Sequence, residues 1–379
     1  MKKIAASLLA FVIATPHAQA QNDPAPVKTE KADIRVETIA TGLQNPWGLA
    51  FLPDGRALVT ERPGRLRLIG KDNKLSDPIA GVPEVAAVGQ GGLLDVALSP
   101  DFAKDNLIFL SFAEPRGAAG SSTSVARGKL VEKDGKFALE DVRVIFRQEP
   151  ARPGGFHFGS RLVFARDGNL FITTGERNLK TPSQDLSNHI GKILRVTPEG
   201  KVPADNPFVK DKNARPEIWS YGHRNVQGAA LHPQTGKLWL TEHGPRGGDE
   251  INIPEAGKNY GWPVIGYGVD YSGAKLHEST HKEGMEQPAH QWTPSIGPSG
   301  AMFYTGDLFP GWKGNLFTGS LVFTSLYRIE LDGEKFVREE KMLEKNGDRI
   351  RDVRQAPDGS IWLITDARNG KVLRLTPAK

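Results

Sequence analysis

The chain has no cysteine among its 379 residues, which removes disulfides, thiolate nucleophiles and cysteine-based zinc sites together. A chain of this length must then be held by burial and hydrogen bonding alone, and its 38% hydrophobic content makes a large core feasible. Long hydrophobic runs are scarce as well. The apolar stretch from Ile4 to Thr15 is too short to span a bilayer comfortably, and no later segment could span one. Charge of one sign is not in great excess either: 49 basic against 44 acidic residues leave +5, which gives no argument for nucleic acid but leaves room for a local cationic pocket. No stretch sustains helical periodicity. EF-hand, Walker A, dinucleotide-type Gly-x-Gly-x-x-Gly and Gly-x-Ser-x-Gly patterns are all missing.

At the N-terminus, Lys2 and Lys3 precede the Ile4–Thr15 run, which leads to Ala18-Gln19-Ala20. That is the pattern of a secretory signal, so residues 1–20 are expected to be a signal peptide cut before Gln21, and the mature protein to be periplasmic. Residues 21–32 are polar and proline-bearing and predict a flexible leader.

What recurs in the rest is a hairpin. An apolar strand, a turn built on Pro, Asp or Gly, and a second apolar strand occur at Trp47–Thr60, Leu94–Ser111, Arg161–Thr174, Gly228–Thr241, Ala301–Gly319 and Val353–Thr365. Proline presets φ and glycine supplies positive φ, so the turn chemistry matches the hairpin. Many strands would also fit a β-sandwich, but six equivalent turn units favour an all-β, six-bladed β-propeller with long inter-strand loops, occupying residues 33–379 as one domain. The early strand Asp33–Ile39 is expected to pair with Lys371–Leu375 and close the ring.

Several loops are too glycine-rich and polar to be mere connections: Val88–Leu93, Gly154–Gly159, Tyr221–Gly228, Glu242–Glu250, Asn259–Pro263 and Asp348–Asp352. A propeller gathers such loops at one end of its channel. Arg349 and Arg351 project from one face of an extended segment and, with Arg224, would make a wall for a polyanion. The alternative is that each arginine pairs with Asp348, Asp352 or another surface acid. Carbonyls and carboxylates in Glu242–Glu250 are hard oxygen ligands suited to calcium, or to magnesium, against a plain turn with Asp249 and Glu250 in solvent. His157 stands beside Gly154, Gly155 and Gly159, which would let a ligand approach the backbone. A lone histidine is more often structural than catalytic.

Taken together, Gly89-Gln-Gly-Gly-Leu-Leu94, His157 with Gly159-Ser-Arg-Leu162, Ile190-Gly-Lys-Ile-Leu-Arg-Val196, Gly222-His-Arg-Asn225, Gly244-Pro245 with Asp249-Glu-Ile-Asn252, Asn259-Tyr-Gly-Trp-Pro263 and Arg349-Ile-Arg-Asp352 resemble the soluble pyrroloquinoline-quinone (PQQ)-dependent glucose/sorbosone dehydrogenases, in particular their aldose sugar dehydrogenase branch. The resemblance runs from about Thr41 to Leu375. It implies a quinoprotein oxidoreductase that converts aldose sugars to lactones by moving the C1 hydride to PQQ, with Ca²⁺ polarising the quinone. Under it His157 is the general base, and Gln90, Arg224, Asn225, Arg349 and Arg351 hold the cofactor, with Tyr271 and Ser295 as weaker wall residues. The carbonyls of Gly244 and Pro245 match the cofactor-linked calcium, and Glu250 and Tyr260 a further calcium site. Expected partners are an aldose substrate and an electron acceptor, either a quinone or a cytochrome, with no nucleic acid, no membrane span, and a monomer or weak dimer as the assembly.

This chain departs from the glucose-type pattern in three places. Phe156 stands where those enzymes carry an aspartate before the histidine, so the partner of His157 is left open. No lysine occurs in the stretch Ser320–Phe323, so part of the anionic grip must come from elsewhere. The segment from Gly266 to Trp292 is short, which predicts an open cleft and a broad aldose range. Two rival functions are a calcium-dependent propeller lactonase, which would need no quinone, and a non-enzymatic sugar- or protein-binding propeller, which would tolerate loss of His157.

Overall fold

A computed structural model describes residues 25–378; the expected signal peptide lies outside them. The described residues form six antiparallel sheets, five of four strands and one of three. Their first strands are Pro46–Phe51, Leu93–Leu98, Gly159–Phe164, Val226–Leu231, Pro298–Phe303 and Ile350–Gln355. Each of these packs against the next and the last returns to the first, so the sheets are the blades of a six-bladed propeller around a central channel. We number them blades 1 to 6 in that order. Among the described residues the α-helical content is the single turn Phe102–Asp105, and no helix is long and apolar enough to cross a membrane.

All six expected hairpins are the first and second strands of the blades. The second strands of five blades, among them Leu170–Thr174, Leu238–Glu242 and Ile361–Thr365, are buried along their whole length. They are sandwiched on both faces by neighbouring blades, which explains their largely apolar character. The ring closes as expected: Ile34–Leu43 pairs antiparallel with Gly370–Pro377, with Val36 opposite Leu375, as the fourth strand of blade 6. The end of the leader is not loose. Val27 and Ala32 pack on the core between blades 5 and 6, Lys31 pairs with Glu330 at 2.8 Å, and Glu30 reaches buried Arg328 at 3.1 Å. A buried guanidinium needs carboxylates, and Glu30 joins Glu340 in supplying them.

The first strands approach one another so closely that side chains are excluded at some positions. A Cβ on Gly300 would lie 1.8 Å from the Asp352 carboxylate. Within the channel, Arg161 contacts Asp95 at 3.1 Å and Asp352 at 3.2 Å, and Arg354 contacts the same two acids. Arg161 also donates to the carbonyls of Gln227 and Arg351, tying three blades together beneath the mouth.

Candidate active site

Each first strand enters the channel from the same face at which each second strand ends, so two sets of loops meet there. They enclose a cavity of about 310 Å³. Of the residues singled out in the sequence, Gln90, Asn225, Gly244, Tyr271, Ser295, Arg349 and Arg351 line it. Arg224, Pro245, Glu250 and Tyr260 instead line an adjoining space of about 20 Å³, which shares His243 and Gly244 with the larger one.

His157 lies in the wall behind these residues, 6% exposed, between the lining residues Gln90 and Phe158. Its φ of +50° places it in the left-handed region. Its backbone N–H donates to Gln90 Oε1 at 2.9 Å, and its Nδ1 makes a short hydrogen bond with Glu176 Oε1. With Nδ1 committed to Glu176, Nε2 is the nitrogen left for a substrate. Burial pushes the imidazole below its ordinary value; Glu176 opposes that, and Arg224 and Arg177 add to it. Burial pushes the Glu176 carboxyl up, but His157, the Lys180 N–H and Arg224 together outweigh it and hold the acid ionised. The question left by Phe156 is thereby answered. Phe156 turns out to the rim, 55% exposed, and the acidic partner comes from the neighbouring loop.

Of the glycines beside His157, Gly159 lines the cavity, whereas Gly155 packs against the neighbouring loop. Cβ atoms on Gly89 and Gly155 would lie 2.4 Å and 2.8 Å from the carbonyl oxygens of Gly155 and Val88 respectively, and Gln90 N–H donates to Gly155 O at 2.7 Å. They allow the Gly89 and Gly155 backbones to pack against each other and so fix Gln90 over His157. Arg177 braces the same loop, donating to the carbonyls of Gly154, Phe156 and Ser121 while its guanidinium sits 4.0 Å above the Phe158 ring.

The arginines converge on one acid. Arg349 and Arg351 both donate to Asp366 Oδ2, at 3.2 Å and 2.8 Å. Burial alone would raise the Asp366 carboxyl, but Arg351 and Arg349, with Arg62 beyond them, hold it far below the usual carboxylate range. Arg351 also donates to Gln227 Oε1 at 3.0 Å, and Gln227 donates to Asn225 at 3.2 Å. Arg224 donates to the His243 carbonyl and lies 5.1 Å from the centre of the Trp262 ring, while its Nε, like that of Arg351, is buried with no partner among the described residues. Arg62 enters the same cavity and was not expected there.

His243 lines both spaces. Its Nε2 donates to Pro298 O at 2.7 Å, and burial, then Arg224 and Arg351, push it down to about 3, so it is a neutral imidazole. Next to it, the carbonyls of Gly244 and Pro245 receive no hydrogen bond among the described residues. No cluster of three or more metal-binding side chains exists among those residues, so a cation here would depend on such backbone oxygens. The Glu250 carboxyl is pushed up to about 8 by burial and by the charges of Glu242 and Asp249, an arrangement that a cation would relieve. Tyr260 commits its hydroxyl to Ile253 O at 2.6 Å, leaving its carbonyl as the available donor. Asp249 is held by Gly244 N–H, Gly297 N–H and the Ser295 hydroxyl, so Ser295 serves the loop as well as the cavity wall.

Comparison with known proteins fits this geometry. Residues 43–374 match the family model described as "Glucose / Sorbosone dehydrogenase". The chain belongs to the glucose/sorbosone dehydrogenase family. Among family relatives, the "Aldose sugar dehydrogenase YliI" of Escherichia coli is 46% identical over 349 residues, covering 91% of this chain and 94% of that one. "Quinoprotein glucose dehydrogenase B" of Acinetobacter calcoaceticus is 28% identical, over 90% of this chain and 87% of that one. The solved structure of the PQQ-bound aldose sugar dehydrogenase from Streptomyces coelicolor superimposes with a TM-score of 0.75 at 30% identity, covering 93% of this chain and 100% of that one.

Four site residues of this family member escaped the sequence reading: Arg62, Glu176, His243 and Asp366. A repeat marks all four. The second strands of four blades end in Thr60-Glu61-Arg62, Thr174-Gly-Glu176-Arg177, Thr241-Glu242-His243 and Thr365-Asp366. Hairpin register then supplies proximity: Thr174 pairs with Gly159, so two steps outward Glu176 meets His157, and Ile350 pairs with Thr365, so Asp366 meets Arg349 and Arg351.

Proposed function

We propose that the protein is a periplasmic aldose sugar dehydrogenase that oxidises the anomeric position of a broad range of aldoses to lactones, with PQQ as hydride acceptor and Ca²⁺ beside it. The observation that carries this reading is the His157–Glu176 pair set in the wall of an arginine-lined cavity. The donor set suits a flat polyanion: Arg351 and Arg349 in the cavity, Arg224 beside it, two buried Nε atoms without partners, and the amides of Gln90 and Asn225. The open carbonyls of Gly244 and Pro245 suit the calcium, and Glu250 with the Tyr260 carbonyl the further calcium. When bound, the quinone supplies the hydride acceptor and the cation its polarisation.

The chain's own residues do the proton chemistry. His157 is neutral near pH 7 because burial depresses it, so Nε2 is a lone pair ready to take the proton of the sugar's C1 hydroxyl. Glu176 fixes the tautomer by accepting from Nδ1 and stabilises the imidazolium that forms. Gln90 fixes the backbone of the base. Tyr271 and Val322, 70% and 55% exposed, flank the mouth of the cavity and leave it open to sugars of different shape. The reading is tested by adding PQQ and Ca²⁺ to the purified apoprotein and following dye reduction with a panel of aldoses. Reduction dependent on sugar, quinone and cation is expected. Its absence with every aldose overturns the reading.

A further inference from the structure

Three arginines line the main cavity, Arg62, Arg349 and Arg351, against one carboxylate, Asp366. Arg349 and Arg351 spend donors on that acid, but Arg62 forms no ion pair among the described residues. Its Nη1 donates to Gly89 O at 2.9 Å, beside the loop that carries Gln90, and its Nε is buried without a partner among the described residues. It is close enough to help acidify Asp366, so its charge acts on the same space. A partly buried guanidinium with no acid and an unmet donor is costly unless an anion joins it. The stretch Ser320–Phe323, in blade 5, contributes Leu321 and Val322 to the lining and no cation.

We infer that Arg62, which ends the second strand of blade 1, is a cofactor-binding residue that grips a carboxylate of the bound polyanion and supplies the cationic contact that Ser320–Phe323 lacks. The inference rests on the proposed reading for the identity of the polyanion, PQQ, and on the cavity alone for the anion site. Asp366 balances one of the three arginines, leaving the cavity two positive charges, and Arg62 accounts for one of them.

The test is a binding titration of the purified apoprotein, followed by quenching of tryptophan fluorescence, since Trp47 lines the cavity. PQQ is one probe and benzene-1,3,5-tricarboxylate, which is redox-inert, is the other. Arg62→Gln keeps a donor for Gly89 O and removes the charge; Arg62→Lys keeps the charge and loses the fork. Arg62→Gln is expected to weaken both probes by about 10- to 100-fold, and Arg62→Lys to recover most of the loss and keep the wild-type salt dependence. Wild-type affinity in Arg62→Gln overturns the inference, as does equal weakness of the two variants, which would mean that the positive charge at this position does not hold the probes. If Arg62→Gln fails to fold, Arg62→Lys decides: retained affinity supports the assignment and lost affinity overturns it. Tricarboxylate binding that depends on Arg62, without PQQ binding by the wild type, keeps the anion site and rejects the quinone reading. Binding of neither probe by the wild type rejects both.

Discussion

His157 is held in a backbone conformation that non-glycine residues seldom adopt, at a cost on the order of 1–3 kcal/mol, and the bonds to Gln90 and Glu176 hold it there. Removing the imidazole by His157→Ala should cut turnover of the reconstituted enzyme by about 100- to 10,000-fold, with PQQ affinity little changed, as measured by steady-state dye reduction beside fluorescence titration. Its protonation sets the acid limb of activity. Because the base must be neutral and its folded value lies below 6.5, kcat/KM should fall only when pH drops beneath that point. Glu176 raises this value, so Glu176→Gln should move the limb to still lower pH while lowering kcat. A limb that stays in place in that variant would deny Glu176 its role. Phe156 shows where reading neighbours along the chain misleads: in a hairpin the functional neighbour of residue 157 is residue 176, across the register.

At the scale of the element, the second strand and the loop after it deliver the carboxylates. The loop that follows Thr174 is held by Lys192, fully buried, whose ammonium donates to the carbonyls of Pro182, Ser183 and Ile190 at 3.0, 3.0 and 2.7 Å. Lys192→Met would strand those carbonyls and cost about 1–3 kcal/mol, with a loss of kcat because the same loop carries Glu176; chemical denaturation and steady-state kinetics check the two effects separately. The hairpins themselves were legible because turn chemistry and strand apolarity are local. The acids at the strand ends were not, since a Glu or Asp after a strand reads as a solvated loop residue until pairing register is known. The repeated Thr-acid ending was available in the sequence, and its meaning came only with the blade.

For the whole molecule, the pairing of Ile34–Leu43 with Gly370–Pro377 closes the ring without any disulfide. The six hairpins and this closing pair could be anticipated, whereas the docking of residues 27–32 could not: it answers buried Arg328, an inward-facing charge that sequence alone reads as exposed. The acid side of the stability profile follows from buried groups. His157 and His243 have folded values below 6.5, so the unfolded chain binds protons that the native state refuses, and their contribution to stability should fall as pH drops below about 6.5. His243 continues this loss down to about 3, at up to about 1.4 kcal/mol per pH unit. Asp366, held low by its arginines, contributes stability that is present above about 4 and fades further into acid. Glu250, raised to about 8, works in the opposite sense over the same range, so the share of His243 is read as a difference: between pH 7.5 and 4.5 the urea midpoint of His243→Gln should fall less, or rise more, than that of the wild type.

The most direct test of the central claim is dye reduction by the purified protein loaded with PQQ and Ca²⁺, run with several aldoses beside His157→Ala and Glu176→Gln. Sugar-dependent reduction that needs both additions, nearly vanishes in His157→Ala and shows its acid limb displaced in Glu176→Gln is the predicted result. Undiminished reduction by His157→Ala, or no reduction with any aldose, would contradict the account.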